Sequence, residues 1–133
     1  MYYFAYGSNL NHKQMQERCP NSKPRFLATL HHYKLVFVGW SRPWRGGIAS
    51  IKAARGERVI GGIYEISEND LRRLDKYEGY PSNYNRLKVT VFNENNEPTE
   101  AVTYIKSGQL EETLPSKEYG EVLRQGYRDW RLI

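Results

Sequence analysis

Alternating strand patterns, three helix signals and two glycine pairs predict an α+β fold for this chain, with a sharply coiled sheet or barrel wall at its centre. Residues 33–38, 84–92 and 99–105 alternate side-chain character with the period of a strand. Helix signals stand between and around them, at residues 10–18, at Ser67-Glu68-Asn69-Asp70 and at Pro115-Ser116. Gly46-Gly47 and Gly61-Gly62 lie in two segments expected to face each other, and strand glycines remove side chains where another backbone passes closely.

Taken in order, the aromatic residues 2–6 read as a short strand, which Gly7, Ser8 and Asn9 break with turn chemistry before Leu10 opens a helix. Cys19-Pro20-Asn21 stops that helix. Residues 25–30 and 33–38 are predicted strands joined at His31-His32. Residues 46–51 start another, with 58–66 as its hairpin partner. Ser67 to Asp70 form a capping box with Asp in the acidic position, and the helix they begin ends at Gly79, before Pro81. Strands at 84–92 and 99–105 then pair across a turn at 93–98. Ser116 caps a last helix with Tyr119, Val122, Leu123 and Tyr127 on its apolar side.

The 133 residues are enough for one real core but not for two, so one domain is expected over residues 1–133. Eleven Tyr and three Trp suit a barrel interior or the wall of a pocket for a small polar ligand. A formal charge of +5 admits anionic partners, but the basic residues are spread along the chain among acidic ones. No Lys/Arg run of the nucleic-acid kind occurs, so no nucleic-acid partner is expected. The one cysteine, Cys19, excludes an internal disulfide and a Cys-based zinc site. No apolar run has the length of a membrane span and no leader pattern precedes the first strand, which predicts a soluble, cytoplasmic protein with no membrane partner.

Few residues are candidates for chemistry. The strand that breaks at Gly7-Ser8-Asn9 offers backbone N–H groups and a helix N-terminus to a carboxylate, phosphate or oxyanion. Ser8 and His12, four residues apart, are the minimal parts of a serine amidohydrolase, although no acidic orienter can be named for them. Cys19 reads as structural. His31 and His32 point to opposite faces of an extended segment, which is poor geometry for one metal, and read as surface or turn residues. Residues 39–47 carry Trp40, Arg42, Pro43, Trp44 and Arg45, a bulky lid or rim. Glu78 stands apart from the other acids, between Tyr77 and Gly79-Tyr80-Pro81 at a helix end. There both desolvation and the helix dipole raise a carboxylate pKa toward the range of a general base.

Five motifs in order resemble the gamma-glutamylcyclotransferases: Phe4-Ala5-Tyr6-Gly7-Ser8-Asn9-Leu10; Trp44-x-Gly46-Gly47-Ile48-Ala49; Val59-x-Gly61-x-x-Tyr64; Leu74-Asp75-x-x-Glu78-Gly79 followed by Tyr84; and Pro115-Ser116-x-x-Tyr119. The resemblance implies an α+β fold around a small mixed β-barrel with flanking helices. It also implies a reaction in which the α-amine of a gamma-glutamyl amide closes onto its γ-carbonyl, releasing 5-oxoproline and a free amine. No metal or organic cofactor is needed for this. Glu78 becomes the expected catalytic acid/base, and Tyr6, Gly7, Ser8, Asn9, Leu10, Tyr84 and Tyr119 the expected substrate-binding residues. The amides of Gly7 to Asn9 would hold either the α-carboxylate or the oxyanion. The motifs look more like those of enzymes acting on gamma-glutamyl amino acids than on gamma-glutamylamines or glutathione, with residues 39–45 and 109–114 expected at the leaving group. A monomer or homodimer is expected. The alternative is a binding module that keeps the cavity without turnover.

Overall fold

The computed structural model describes residues 1–108 and 110–133. Its strands are β1 (Tyr2–Ala5), β2 (Lys23–Ser41), β3 (Gly46–Glu65), β4 (Tyr84–Asn93) and β5 (Pro98–Lys106), closed into a barrel in the order β1-β3-β2-β4-β5. Only β1 with β5 is parallel, at Tyr3 opposite Val102; the other pairs are antiparallel. The barrel is therefore small and mixed, as the motif resemblance implies. Three helices flank it, α1 (His12–Arg18), α2 (Glu68–Glu78) and α3 (Lys117–Asp129).

Strand alternation sorts side chains into two cores. Phe4 and Tyr6 enter one cluster with Ile63, Val91 and Leu123, while Tyr3 and Ala5 enter the other with Leu10, Met15, Leu74 and Trp130. The second cluster fastens α1 and α2 to the barrel. Cys19 is fully buried there and its Sγ–H points at the Asp70 carbonyl, 3.5 Å away, in keeping with a structural residue.

The strand pattern departs from expectation in two places. Residues 46–51 and 58–66 are not hairpin partners but the two halves of β3, and both pair with β2. Likewise 25–30 and 33–38 belong to one 19-residue strand. The polar joints are bulges rather than turns: the register slips between His31 and Tyr33, His32 takes φ 65° and Gly56 φ 85°, and the Gly56 N–H donates to His32 Nδ1 at 3.2 Å. A bulge bends and twists a strand without ending it. His31 and His32 are both exposed.

The glycine pairs do admit close neighbours. A Cβ on Gly46 would lie 2.6 Å from the Ser116 nitrogen, and one on Gly47 2.3 Å from Thr113 Oγ1. The segment before α3 thus lies directly on the β2–β3 hairpin. It is fixed there by Gly39 N–H to Glu111 O (3.1 Å), Thr113 N–H to Phe37 O (2.9 Å) and Gly47 N–H to Leu114 O (2.9 Å).

Helix ends follow local chemistry. Ser67 and Asp70 exchange both bonds of a capping box, and Ser116 Oγ accepts from the Tyr119 N–H at 3.1 Å. Helix α1 starts at His12, not at Leu10, because residues 8–10 form a 3₁₀ turn and Asn11 is the cap, its Oδ1 accepting from the Gln14 N–H at 3.0 Å.

Candidate active site

Strand β1 ends at Ala5, and the chain turns at Gly7 against the inner wall of β3. A Cβ on Gly7 would stand 3.1 Å from the Ala49 Cβ and 3.8 Å from the Tyr119 hydroxyl, so the position has room for little beyond hydrogen. The 3₁₀ turn that follows is braced throughout. Its own bonds run from Leu10 N–H to Gly7 O and from Asn11 N–H to Ser8 O, both 3.0 Å, leaving the Ser8 and Asn9 amides outside them. Asn9, 3% exposed, donates to the Tyr3 hydroxyl (3.0 Å) and accepts from Gln14 Nε2 and Arg18 Nη1, each at 3.1 Å.

Glu78, the last residue of α2, lines the same cavity as the turn. Gly79 ends the helix at φ 66°, where a Cβ would fall 2.5 Å from Asn83 Nδ2, and the chain re-enters the barrel at Tyr84. Tyr6, Gly7, Ser8, Asn9, Glu78, Tyr84 and Tyr119 all line one cavity of about 540 Å³. Leu10, expected with them, does not: the 3₁₀ turn rotates its side chain into the second core, where it is fully buried, and its carbonyl accepts from Trp130 Nε1 at 2.8 Å.

The carboxylate of Glu78 has no hydrogen-bond or ion-pair partner among the described residues, although Arg18 and Lys106 line the same cavity. Burial raises its pKa to about 7, and the two cations only partly offset this. The phenols around it are held above their usual range by burial, Tyr119 at about 12 and Tyr6 and Tyr84 higher, so all are neutral at physiological pH. Two of them bond the backbone of one residue, Ala49. Tyr84 donates its O–H to the Ala49 carbonyl at 2.8 Å, and Tyr119 accepts from the Ala49 N–H at 2.9 Å. Tyr84 therefore offers a ligand lone pairs, and Tyr119 offers a proton. Tyr6 has spent its proton on the Tyr104 carbonyl, 2.5 Å away.

Several residues do otherwise than expected. Ser8 Oγ accepts from Gln14 Nε2 at 2.7 Å, while the His12 ring packs on Trp130 and Tyr64 at centroid separations of 5.1 and 6.2 Å. No Ser8–His12 pair forms, which removes the basis of a serine hydrolase. Of the segment expected at the leaving group, Gln109 lies outside the described residues. Leu110 and Glu112 line a different cavity of about 460 Å³. Residues 40–44 do line the first cavity, with the Trp44 ring tilted against that of Tyr119 at a centroid separation of 4.9 Å as a rim and Trp40 largely exposed. Arg18, Lys106, Tyr3 and Asn83 also reach the cavity, and nothing in their local sequence singles them out. Among the described residues no three His, Cys, Asp or Glu side chains converge as metal ligands, and no helix is long and apolar enough to cross a membrane.

A polar cavity beside a closed mixed barrel, with its reactive groups drawn from the end of α2, the start of β4 and the first turn of α3, defines a small-molecule enzyme. The chain belongs to the gamma-glutamyl cyclotransferase, AIG2-like family, whose model it matches over residues 3–131. Gamma-glutamylcyclotransferase of Bos taurus is 33% identical over 132 residues, 96% of this chain and 70% of that protein. Gamma-glutamylaminecyclotransferase of the same species is 38% identical over only 63 residues, 47% of this chain and 36% of that one. A solved structure of a gamma-glutamyl cyclotransferase superimposes with a TM-score of 0.92 at 28% identity, covering 97% of this chain and 79% of the other.

Proposed function

We propose that this protein is a gamma-glutamylcyclotransferase acting on gamma-glutamyl amino acids, with Glu78 as its proton-transfer group. One observation carries the assignment of the residue: the Glu78 carboxylate is unpartnered among the described residues, lines the same cavity as Gly7, Ser8 and Asn9 and is held near pKa 7. A base is needed because the substrate amine is protonated at neutral pH. A carboxylate titrating near 7 is well matched to taking that proton and returning it.

The turn amides hold the α-carboxylate of the glutamyl group, with Arg18 beside Asn9 adding positive charge on that side. Tyr84 accepts from the α-amino group through its free lone pairs. Glu78 removes a proton from that group, and the nitrogen attacks the γ-carbonyl carbon five atoms round the incipient ring. The tether supplies the proximity, so the site need only hold the folded conformer. Negative charge gathering on the γ-oxygen is met by the Tyr119 hydroxyl, whose proton its bond to Ala49 leaves available. Glu78 then gives that proton to the departing nitrogen and takes the second from the ring nitrogen, the C–N bond breaks, and 5-oxoproline leaves with an amino acid whose amine carries away the second proton. The lone buried thiol of Cys19 supports a reducing, cytoplasmic setting.

The test is product identity. Incubation with γ-glutamyl-alanine is expected to give 5-oxoproline and alanine. Glutamate in place of 5-oxoproline would reject cyclisation, and binding without turnover across a panel of γ-glutamyl compounds would favour the non-catalytic module.

A further inference from the structure

The charges around the cavity do not balance. Arg18, Arg42 and Lys106 line it, against the one carboxylate of Glu78. No carboxylate among the described residues lies within 4.0 Å of any of the three cations. Arg18 is committed at the turn, through Asn9 Oδ1 at 3.1 Å and the Tyr77 ring at 4.7 Å. Arg42 stands on the exposed tip of the β2–β3 hairpin. Lys106 is different. It ends β5, its backbone N–H is fixed by Ser50 Oγ at 2.9 Å, and its ammonium rests 5.1 Å from the centre of the Tyr84 ring. That leaves three N–H donors with an aromatic face as the only neighbour among the described contacts. Partial burial depresses its pKa, and Glu78 opposes the shift.

A partly desolvated ammonium without a counter-ion gains most from an anion supplied by a ligand. Glu78, the carboxylate that acts on it through the cavity, makes no ion pair with it within 4.0 Å and is protonated for part of each turnover in the proposed mechanism. The glutamyl α-carboxylate is occupied at the turn, where Arg18 already stands. Lys106 enters at the strand end paired with Tyr84, with its ammonium over that ring. Tyr84 holds the α-amine as it closes on the γ-carbon, so the amine departing from that same carbon is the part of the substrate still without an anchor beside Lys106. We propose, resting on the cyclotransferase reading, that Lys106 is a specificity-determining residue: it takes an anionic group, a carboxylate, carried by the leaving amine. The enzyme thereby selects γ-glutamyl amides of amino acids over those of neutral or cationic amines.

The experiment compares γ-glutamyl-alanine with γ-glutamyl-alaninamide, which differ at the leaving group by one negative charge. A charged hydrogen bond of this kind corresponds to a preference of roughly 10- to 100-fold in kcat/KM for the free acid. Lys106→Met is expected to reduce that ratio to within about threefold of unity, with the loss carried by KM for the acid, and Lys106→Arg to restore it. Should the Met variant not fold, Lys106→Gln serves the same purpose. A preference that survives removal of the ammonium, equal turnover of the two substrates by the wild type, or a preference abolished by Arg42→Gln instead would overturn the inference and leave the cyclotransferase reading intact. Absence of 5-oxoproline from both substrates overturns the two together.

Discussion

The two walls of the cavity are built on opposite plans. At the Gly7–Leu10 turn almost every side-chain polar atom is spoken for: Ser8 by Gln14, Asn9 by Tyr3, Gln14 and Arg18. At the end of α2 the Glu78 carboxylate has no partner among the described residues, and burial pushes its pKa to about 7. The first wall is rigid and offers a ligand mainly its backbone. The second leaves one side chain unsatisfied and so available for proton transfer. Binding needs a shape that does not change, whereas acid/base catalysis needs a group close to the balance between its two forms.

The contrast is broken most severely at Glu78. Glu78→Gln keeps the size of the side chain and removes its proton chemistry, so 5-oxoproline release is expected to fall by roughly 10²- to 10⁴-fold with an unchanged circular dichroism spectrum. A variant turning over like the wild type would remove Glu78 from the mechanism. Next comes the rigid wall. Gly7→Val drives a branched side chain toward Ala49 and Tyr119. A displacement of the turn by an ångström is expected to lower kcat/KM by about 10²-fold, and overpacking to cost about 1–3 kcal/mol in urea unfolding.

The pH dependence sharpens the comparison. Glu78 must be ionised in the free enzyme to act as a base, so kcat/KM should rise with pH through about 7. Stability moves the other way. The folded pKa lies above the ordinary 4.5, so between 4.5 and 7 the native state holds more of this proton than the unfolded chain does. The cost of burying the charge therefore appears as pH rises through that window. Glu78→Gln should be more stable than wild type at pH 8, by about 1–3 kcal/mol after allowing for its contact with cavity water, and the gain should vanish below pH 4.5. The smallest effect is expected at Ser8→Ala, which gives up one bond to Gln14. Turnover within about threefold of wild type and a loss of about 0.5–1.5 kcal/mol are expected; a collapse of kcat would show that the hydroxyl itself meets the substrate.

What could be read from the chain alone follows the range of the interactions involved. The Ser67–Asp70 box, the Ser116 cap and the left-handed Gly79 are decided within four residues, and all three stand where the sequence predicts. Glu78 could be singled out because its aromatic company is adjacent in sequence. Leu10 could not be placed, since a 3₁₀ turn in place of a first helical turn rotates its side chain to the other side of the segment. Residues 52–57 hold three charged side chains and a glycine, as a turn would, yet they continue β3 because β2 pairs on both sides of the bulge. Arg18 and Lys106 reach the cavity only through closure of the barrel and docking of α1, and neither leaves a mark in its own neighbourhood.

The seat that Gly46 and Gly47 provide for the segment before α3 also bears on amide hydrogen exchange. The N–H groups of Gly39, Thr113 and Gly47 are each bonded across the same two segments. None can trade its proton with solvent until the strap separates from the hairpin. The three should exchange as one cooperative unit, with a free energy of opening below that of the barrel strands. Because Tyr119 follows this strap, deuterium uptake at these amides would report how often the catalytic wall comes apart while the barrel stays folded.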